Sequence, residues 1–272
     1  MRVAGVDLTD PAPVAGGEIC HAYRAMLDDG TVVFAKTLPH PPAGLFTAEA
    51  AGLDLLRVDG GPPLPDVIAT GDDGLVLSWV EPGPPSVGAA RAFGAALARM
   101  HGCGMPSFGA ARDGFIGSLP LPNAGCPDDW ATFYVEHRIR PYLRGLTPAQ
   151  RRPVEAVCDR VADLAGDPEP PARIHGDLWG GNLLWGADRR AWLVDAAAAH
   201  GGHRETDLAM LALFGAPHLD TILAAYDEQA PLAAGWRDRL ALHQLHPVLV
   251  HATLFGGGYA DRAAAAAASL LR

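Results

Sequence analysis

Asp177 and Asn182 stand five residues apart in His175-Gly176-Asp177-Leu178-Trp179-Gly180-Gly181-Asn182, and thirteen residues later Asp195 closes the apolar run Ala191-Trp192-Leu193-Val194. These are the groups that phosphoryl transfer needs. Charge gathers on the phosphate oxygens, so a hard cation such as Mg2+ is held by hard oxygens. The carboxamide oxygen of Asn182 and the carboxylate of Asp195 suit that part. A separate carboxylate must orient the attacking hydroxyl and take its proton, and Asp177 suits that one. Asp and Asn are also ordinary turn residues, so the bare Asp-x-x-x-x-Asn spacing is weak. The whole string, followed by an apolar run ending in Asp, is far more specific.

Such chemistry calls for a nucleotide clamp earlier in the chain. Lys36 ends the apolar run Val33-Phe34-Ala35, and Glu49 follows thirteen residues later in a helical pattern. A strand lysine on nucleotide phosphates, held by a helix glutamate, is the matching arrangement. Lys36 is the sole lysine among 21 basic residues, and a compact ammonium does what a forked guanidinium does poorly. Gly16-Gly17 takes the position of a glycine turn over the phosphates, although a plain hairpin turn explains two glycines equally well. Cys20 follows it. Positive charge and backbone N–H groups there would give its thiol thiolate character and make oxidation a means of impairing nucleotide binding; an inert strand cysteine is the alternative.

The elements that position these residues follow from periodicity. Cys20–Leu27 and Thr31–Leu38 read as strands around the turn Asp28-Asp29-Gly30. Phe46–Val58 reads as a helix with Phe46, Ala50, Leu53 and Leu56 on one face. Val67–Thr70 and Leu75–Val80 read as further strands. Glu81-Pro82-Gly83-Pro84-Pro85 suits neither helix nor strand interior and marks a boundary. Beyond it the pattern turns helical: Val87–His101, Trp130–Leu143, Pro148–Leu164 and most of Asp207–Arg272. The expectation is an α+β chain with a strand-rich lobe over residues 1–77, a linker at 78–85 and a helical lobe over 86–272. A ligand cleft would lie between the lobes.

Composition narrows the class. The chain has 272 residues, 49% of them hydrophobic, and 21 basic against 31 acidic residues give a net charge of −10. That balance suits a globular protein and argues against a nucleic-acid partner, which needs a basic stripe. No apolar run reaches the roughly 20 residues of a membrane span. The start MRVAGVDLTD lacks the apolar core of a signal peptide, and the four cysteines form no metal or disulfide pattern. The expectation is a reduced, cytoplasmic protein, a monomer or weak homodimer.

The residues above carry a resemblance. Over nearly its whole length the chain resembles the fructosamine/ketosamine kinases, relatives of the aminoglycoside phosphotransferases with a bilobal protein-kinase-like fold. The carriers are GGEICHAYR (16–24), VFAKTL (33–38), FTAEAAGL (46–53), LSWVEPG (77–83), HGDLWGGNLL (175–184), GGHRETDLAMLALFG (201–215) and LFGGGYADR (254–262). HGDLW with GHRE-x-DLAM is the specific pair. The resemblance implies phosphorylation of a sugar hydroxyl of a small-molecule or protein-bound ketosamine, with ATP and Mg2+ as cofactors. It implies Asp177 as catalytic base, Asn182 and Asp195 as metal ligands, Lys36 and Glu49 as phosphate clamp, and Gly16 and Gly17 over the phosphates. Ser78, Trp79, Val80 and Glu81 would form the adenine-binding hinge through backbone groups. Trp179 would lie beside the substrate, where an indole face stacks on a sugar or an apolar amine substituent.

His203 and Glu205 have two readings: substrate contact, or a buried ion-pair network in which Thr206 or Asp207 caps the helix Leu208–Phe214. His175 reads as a residue that orients the loop rather than a proton carrier. Two departures stand out. Asp195-Ala196-Ala197 replaces the family's usual Asp-Pro-Ala, and Val250-His251 stands where Asn-His is frequent. Two other functions fit less well: a kinase for an aminoglycoside, a choline-like alcohol or a free sugar, and a non-catalytic nucleotide-binding protein.

Overall fold

The computed structural model describes residues 1–14, 19–124 and 129–272. Two short strands, β1 (Arg2–Val3) and β2 (Val6–Asp7), pair as a hairpin beside the main sheet. β3 (Thr9–Pro13), β4 (His21–Met26) and β5 (Val32–Thr37) follow. The expected turn joins β4 to β5: Asp29 Oδ1 accepts the Thr31 N–H at 2.8 Å, and Gly30 is left-handed with φ 84°. After helix α1 (Leu45–Leu56) come β6 (Val67–Gly71) and β7 (Gly74–Ser78). The antiparallel sheet runs in the order β3-β4-β5-β7-β6.

Alternation along β5 sorts its side chains. Val33 and Ala35 are fully buried with Val3, Ala25 and Val76 on one face. Phe34 and Lys36 therefore point to the other face, because strand side chains alternate, and both line the interlobe cavity. Helix α1 packs across that side through Phe46, Leu53 and Leu56. Gly52 lets it come very close: a Cβ there would lie 1.8 Å from the Ala196 carbonyl oxygen. The helix backbone thus rests directly on the segment that follows Asp195, and Glu49, nearly one turn earlier, is brought to Lys36.

The linker is pinned. Gly83 N–H donates to the Trp185 carbonyl and Ala187 N–H to the Glu81 carbonyl, both at 2.8 Å. Helix α2 (Val87–Gly102) then begins at Ser86, whose Oγ accepts the Ala89 N–H. The chain continues through the hairpin β8 (Gly114–Ile116) and β9 (Leu119–Leu121) and helix α3 (Trp130–Phe133). Helix α4 (Pro148–Cys158), helix α5 (Val161–Leu164) and strand β10 (Ala172–Ile174) come next. A second hairpin, β11 (Leu183–Trp185) and β12 (Ala191–Leu193), is followed by β13 (His200–Gly202), which pairs with β10. Helices α6 (Glu205–Phe214), α7 (Leu219–Gln229), α8 (Trp236–Phe255) and α9 (Tyr259–Leu270) complete the lobe.

Three details differ from the sequence reading. The expected helix Trp130–Leu143 widens to π geometry over Tyr134–Ile139 and tightens to a 3-10 turn at Arg140–Tyr142. Pro141 accounts for its end, because it lacks an N–H and disfavours helix in the residue before it. The expected helix Pro148–Leu164 breaks at Asp159-Arg160. Val154, Val157 and Val161 are buried on one continuous 3-4 spacing, so periodicity alone does not reveal the break. The β8–β9 hairpin has three-residue strands, too short for an alternation signal.

The main core lies under the sheet and reaches the β11–β12 hairpin through Leu53, Phe93, Leu183 and Leu193. A second fills the helical lobe around Tyr134, Ile139, Leu245 and Leu249.

Candidate active site

The loop between β10 and β11 carries Asp177 and Asn182, and it is held from below by a buried carboxylate. Asp207 accepts the His175 N–H at 2.8 Å and the Gly176 N–H at 2.9 Å, and His101 Nε2 donates to it at 3.1 Å. Burial works to raise the Asp207 carboxyl pKa, but the bonds from His101 and His175 outweigh it and hold it below the usual range. The expectation that Thr206 or Asp207 caps its own helix is corrected here. α6 begins without a side-chain cap, and Asp207 spends its oxygens on the loop that bears Asp177.

His175 ties this loop to the strand end that bears Asp195. Its Nε2–H donates to the Val194 carbonyl at 2.9 Å, which leaves Nδ1 to accept the Asp177 N–H at 3.3 Å. Asn182 faces Asp177, its Nδ2 donating to the Asp177 carbonyl at 2.9 Å and to Oδ2 at 3.4 Å. Both partners are acceptors, so the amide orientation is fixed and Oδ1 is the oxygen left for a ligand. Asp195 adopts φ 62° and places Oδ1 2.9 Å from Lys36 Nζ. Lys36 Nζ also donates to Glu49 Oε2 at 2.9 Å. Burial works against the ammonium, but Glu49 and Asp195 outweigh it and hold its pKa above the ordinary lysine value. Burial pushes the Glu49 carboxyl up to about 7, a pull that Lys36 only partly offsets.

Asp177 sits beside this cluster. Its place away from bulk solvent, and next the neighbouring Asp195 charge, push its carboxyl up to about 7. Two carboxylates that repel one another, with the Asn182 amide lining the same cavity, form a donor set of hard oxygens. That set fits a divalent cation of the magnesium type.

A cavity of about 950 Å³ opens between the lobes, and Lys36, Glu49, Asp177, Trp179, Asn182 and Asp195 all line it. Ser78, Trp79 and Val80 line its upper end. Glu81 is absent from the described lining; its carbonyl is taken by Ala187 N–H and its side chain by Trp79 Nε1–H at 2.8 Å. Gly16 and Gly17 lie outside the described residues. Cys20 lines the cavity, but burial pushes its thiol up, a pull that Lys36 only partly offsets. Of the two readings of Cys20, that direction favours the inert cysteine.

His203 and Glu205 do not reach the cavity. They are buried away from it, where Arg239 donates to both Glu205 oxygens at 2.6 and 2.9 Å and the His243 ring lies tilted against His203 with centroids 4.7 Å apart. The structure thus builds the ion-pair network and not the substrate contact. Sequence reasoning missed the wall of the cavity opposite the sheet, formed by Phe214, His251, Phe255 and Tyr259 with Trp179. The LFGGGY string was the available signal, read only as a mark of resemblance.

The sequence profile described as fructosamine kinase matches residues 2–272. The chain belongs to the fructosamine kinase family. A Thermus thermophilus protein named "probable ketoamine kinase" is 35% identical over 269 residues, 95% of this chain and 94% of its own. An Enterococcus faecium protein of the same designation is 32% identical over 260 residues, covering 92% and 91%. The crystal structure of a protein assigned as a fructosamine-3-kinase from Thermobifida fusca is 51% identical. It superposes with a TM-score of 0.91 over 99% of this chain and 96% of that one. Aminoglycoside phosphotransferase APH(4)-Ia, 16% identical, superposes at 0.68 over 98% and 94%, a likeness of fold alone. The fold is therefore protein-kinase-like, and this member of the fructosamine kinase family is a phosphotransferase. Among the described residues no helix is long and apolar enough to cross a membrane.

Proposed function

We propose that the protein is a Mg-ATP-dependent ketoamine kinase that phosphorylates a sugar hydroxyl of small-molecule or protein-bound ketoamines. The observation that carries this reading is the convergence of Lys36, Asp177, Asn182 and Asp195 on one cavity, in a chain of this family. Residues 1–77 serve as the nucleotide lobe, 78–85 as the hinge and 86–272 as the acceptor lobe. Ser78–Val80 would hold the base of ATP and Lys36, which Glu49 holds in place, would hold its phosphates.

Asn182 Oδ1 and the Asp195 carboxylate would hold a magnesium ion, which would supply positive charge to the phosphate oxygens. Asp177 accepts a hydrogen bond from the acceptor hydroxyl, orients it, and takes its proton as the hydroxyl oxygen bonds to the γ-phosphorus and the bond from that phosphorus to the bridging oxygen breaks, with ADP leaving. His175 and Asp207 fix the loop so that this geometry exists before substrate arrives, which is where most of the acceleration arises.

Phosphorylation of a ketoamine sugar labilises its bond to nitrogen, so the role that fits is deglycation. The test is ADP release with Mg-ATP across ribulose-, erythrulose- and fructose-lysine, free sugars and an aminoglycoside. Turnover confined to the ketoamines is expected. Asp177→Asn should lower kcat by about 10²–10⁴-fold, the range of general base catalysis, with nucleotide affinity largely kept. Turnover of only free sugars or the aminoglycoside overturns the acceptor assignment; wild-type turnover in the variant overturns the role of Asp177.

A further inference from the structure

Arg204 stands between the buried His203 and Glu205, yet its own partners lie elsewhere. Its Nε and Nη2 donate to the two Glu169 oxygens at 2.7 and 2.8 Å. Nη1 donates to the Ala230 carbonyl at 3.1 Å and Nη2 to the Pro231 carbonyl at 2.9 Å, just beyond α7. These bonds fix the guanidinium at the end of α7, beside the Tyr226 hydroxyl. Burial raises the Tyr226 phenol pKa, and the positive charge of Arg204 only partly offsets it.

Tyr226 is buried, and its hydroxyl lies 2.8 Å from His101 Nδ1. The other nitrogen of that ring, Nε2, meets Asp207 at 3.1 Å. The sequence explains why the two helices come this close. Gly94 of α2 faces the Ile222 carbonyl of α7, where a Cβ would lie 2.2 Å from the oxygen. Two helical turns on from Gly94 comes His101, and one turn on from Ile222 comes Tyr226, so both sit on the contacting faces.

A line of groups therefore runs from Arg204 through Tyr226 and His101 to Asp207, and on to the N–H groups of His175 and Gly176. Its ends are one-way. A guanidinium only donates, and an ionised carboxylate only accepts. Tyrosine and histidine can point either way, and here the ends decide. Positive charge on one side of the hydroxyl turns its hydrogen to the other side, onto His101 Nδ1. That nitrogen is then the acceptor, which puts the ring proton on Nε2, facing Asp207. The opposite tautomer would set a bare nitrogen lone pair against the carboxylate.

We infer that Arg204 and Tyr226 are positioning residues for phosphoryl transfer. They set the tautomer of His101 and so keep the donor that holds Asp207, and with it the loop that bears Asp177, in place. This rests on the reading of Asp177 as the group that takes the acceptor proton. Arg204, Tyr226 and His101 are all absent from the described lining of the cavity, so the effect falls on kcat rather than on binding.

Two measurements test this. Nitrogen NMR of protein isotopically labelled at histidine should show His101, assigned by the signal missing from His101→Gln, with its proton on Nε2 alone. Tyr226→Phe should add the form protonated on Nδ1. Initial rates with Mg-ATP and a ketoamine should show kcat lowered about threefold to tenfold in Tyr226→Phe and in Arg204→Met, the worth of one hydrogen bond, with both KM values little changed. Arg204→Lys, which keeps a positive charge beside the hydroxyl, should recover most of the loss. Ile222→Val trims the packing between α2 and α7 without touching the line, so it should lower the melting temperature and leave kcat alone. A wild-type His101 protonated on Nδ1, or on both nitrogens, overturns the inference, as does an unchanged kcat in a folded Tyr226→Phe. If no ketoamine is turned over, the reading beneath fails, and the spectra decide the line by themselves.

Discussion

Asp207 touches no ligand in the proposed mechanism, yet two backbone N–H groups of the loop that bears Asp177 depend on it. Asp207→Asn keeps the shape and removes one acceptor oxygen, so a buried donor is left unpaired at a cost of about 1–3 kcal/mol. The expected outcome is a lower melting temperature and a kcat reduced by about tenfold or more, with nucleotide affinity near wild type. Calorimetry and an ADP-release assay check it; an unchanged kcat in a folded variant contradicts the positioning role. The residue was visible in the sequence only as a cap for its own helix, because its partners His101 and His175 lie 106 and 32 residues away. Asp177, Asn182 and Asp195 were legible because their spacing is local and the chemistry constrains it. His203 and Glu205 shared the charged, conspicuous look of site residues, but their partner Arg239 lies on a later helix that spacing does not bring near.

Among the elements, α1 joins the two halves of the site. Its Glu49 faces Lys36, while its Gly52 meets Ala196 beyond Asp195. Gly52→Ala places a Cβ against a backbone oxygen, which cannot rotate away as a side chain can. The helix must shift, at a cost of about 1–3 kcal/mol for overpacking. The variant should melt several degrees lower and show a raised KM for ATP, because the Lys36–Glu49 geometry moves with the helix. Wild-type values for both would show that α1 is free to give. The strand that bears Lys36 was readable from the two-residue alternation of Val33, Phe34, Ala35 and Lys36. The close approach of α1 was not, since a glycine at an apolar helix position signals space without saying what fills it.

At the scale of the whole molecule, the helical lobe buries four histidines that burial holds in the neutral form. His200 and His246 lie well below the ordinary range, His203 is lowered to about 3, and His243 is lowered despite its contact with Glu205. Arg138 adds to the shift at His200 and His246, and Arg239 at His203 and His243. The unfolded chain takes up these protons near pH 6.5 and the folded chain does not. Each group therefore removes about 1.4 kcal/mol of stability per pH unit below that point, until its folded pKa is reached. Urea midpoints should fall steeply from pH 7 to pH 5, and less steeply in His246→Leu. A flat profile would mean that these imidazoles charge in place.

The pairing of Lys36 has a consequence for the protein as a chemical object among sugars. An aldose condenses with a neutral, accessible amine, and this chain has one side-chain amine in 272 residues. That amine is held as an ammonium between two carboxylates, with 12% of its side chain exposed. The arginine-rich surface keeps its positive charges without offering primary amines. After long incubation with ribose the folded protein should gain sugar at its terminal amine and almost none at Lys36, as intact mass and peptide mapping would show. A protein proposed to mend sugar-damaged amines would itself be nearly immune to that damage.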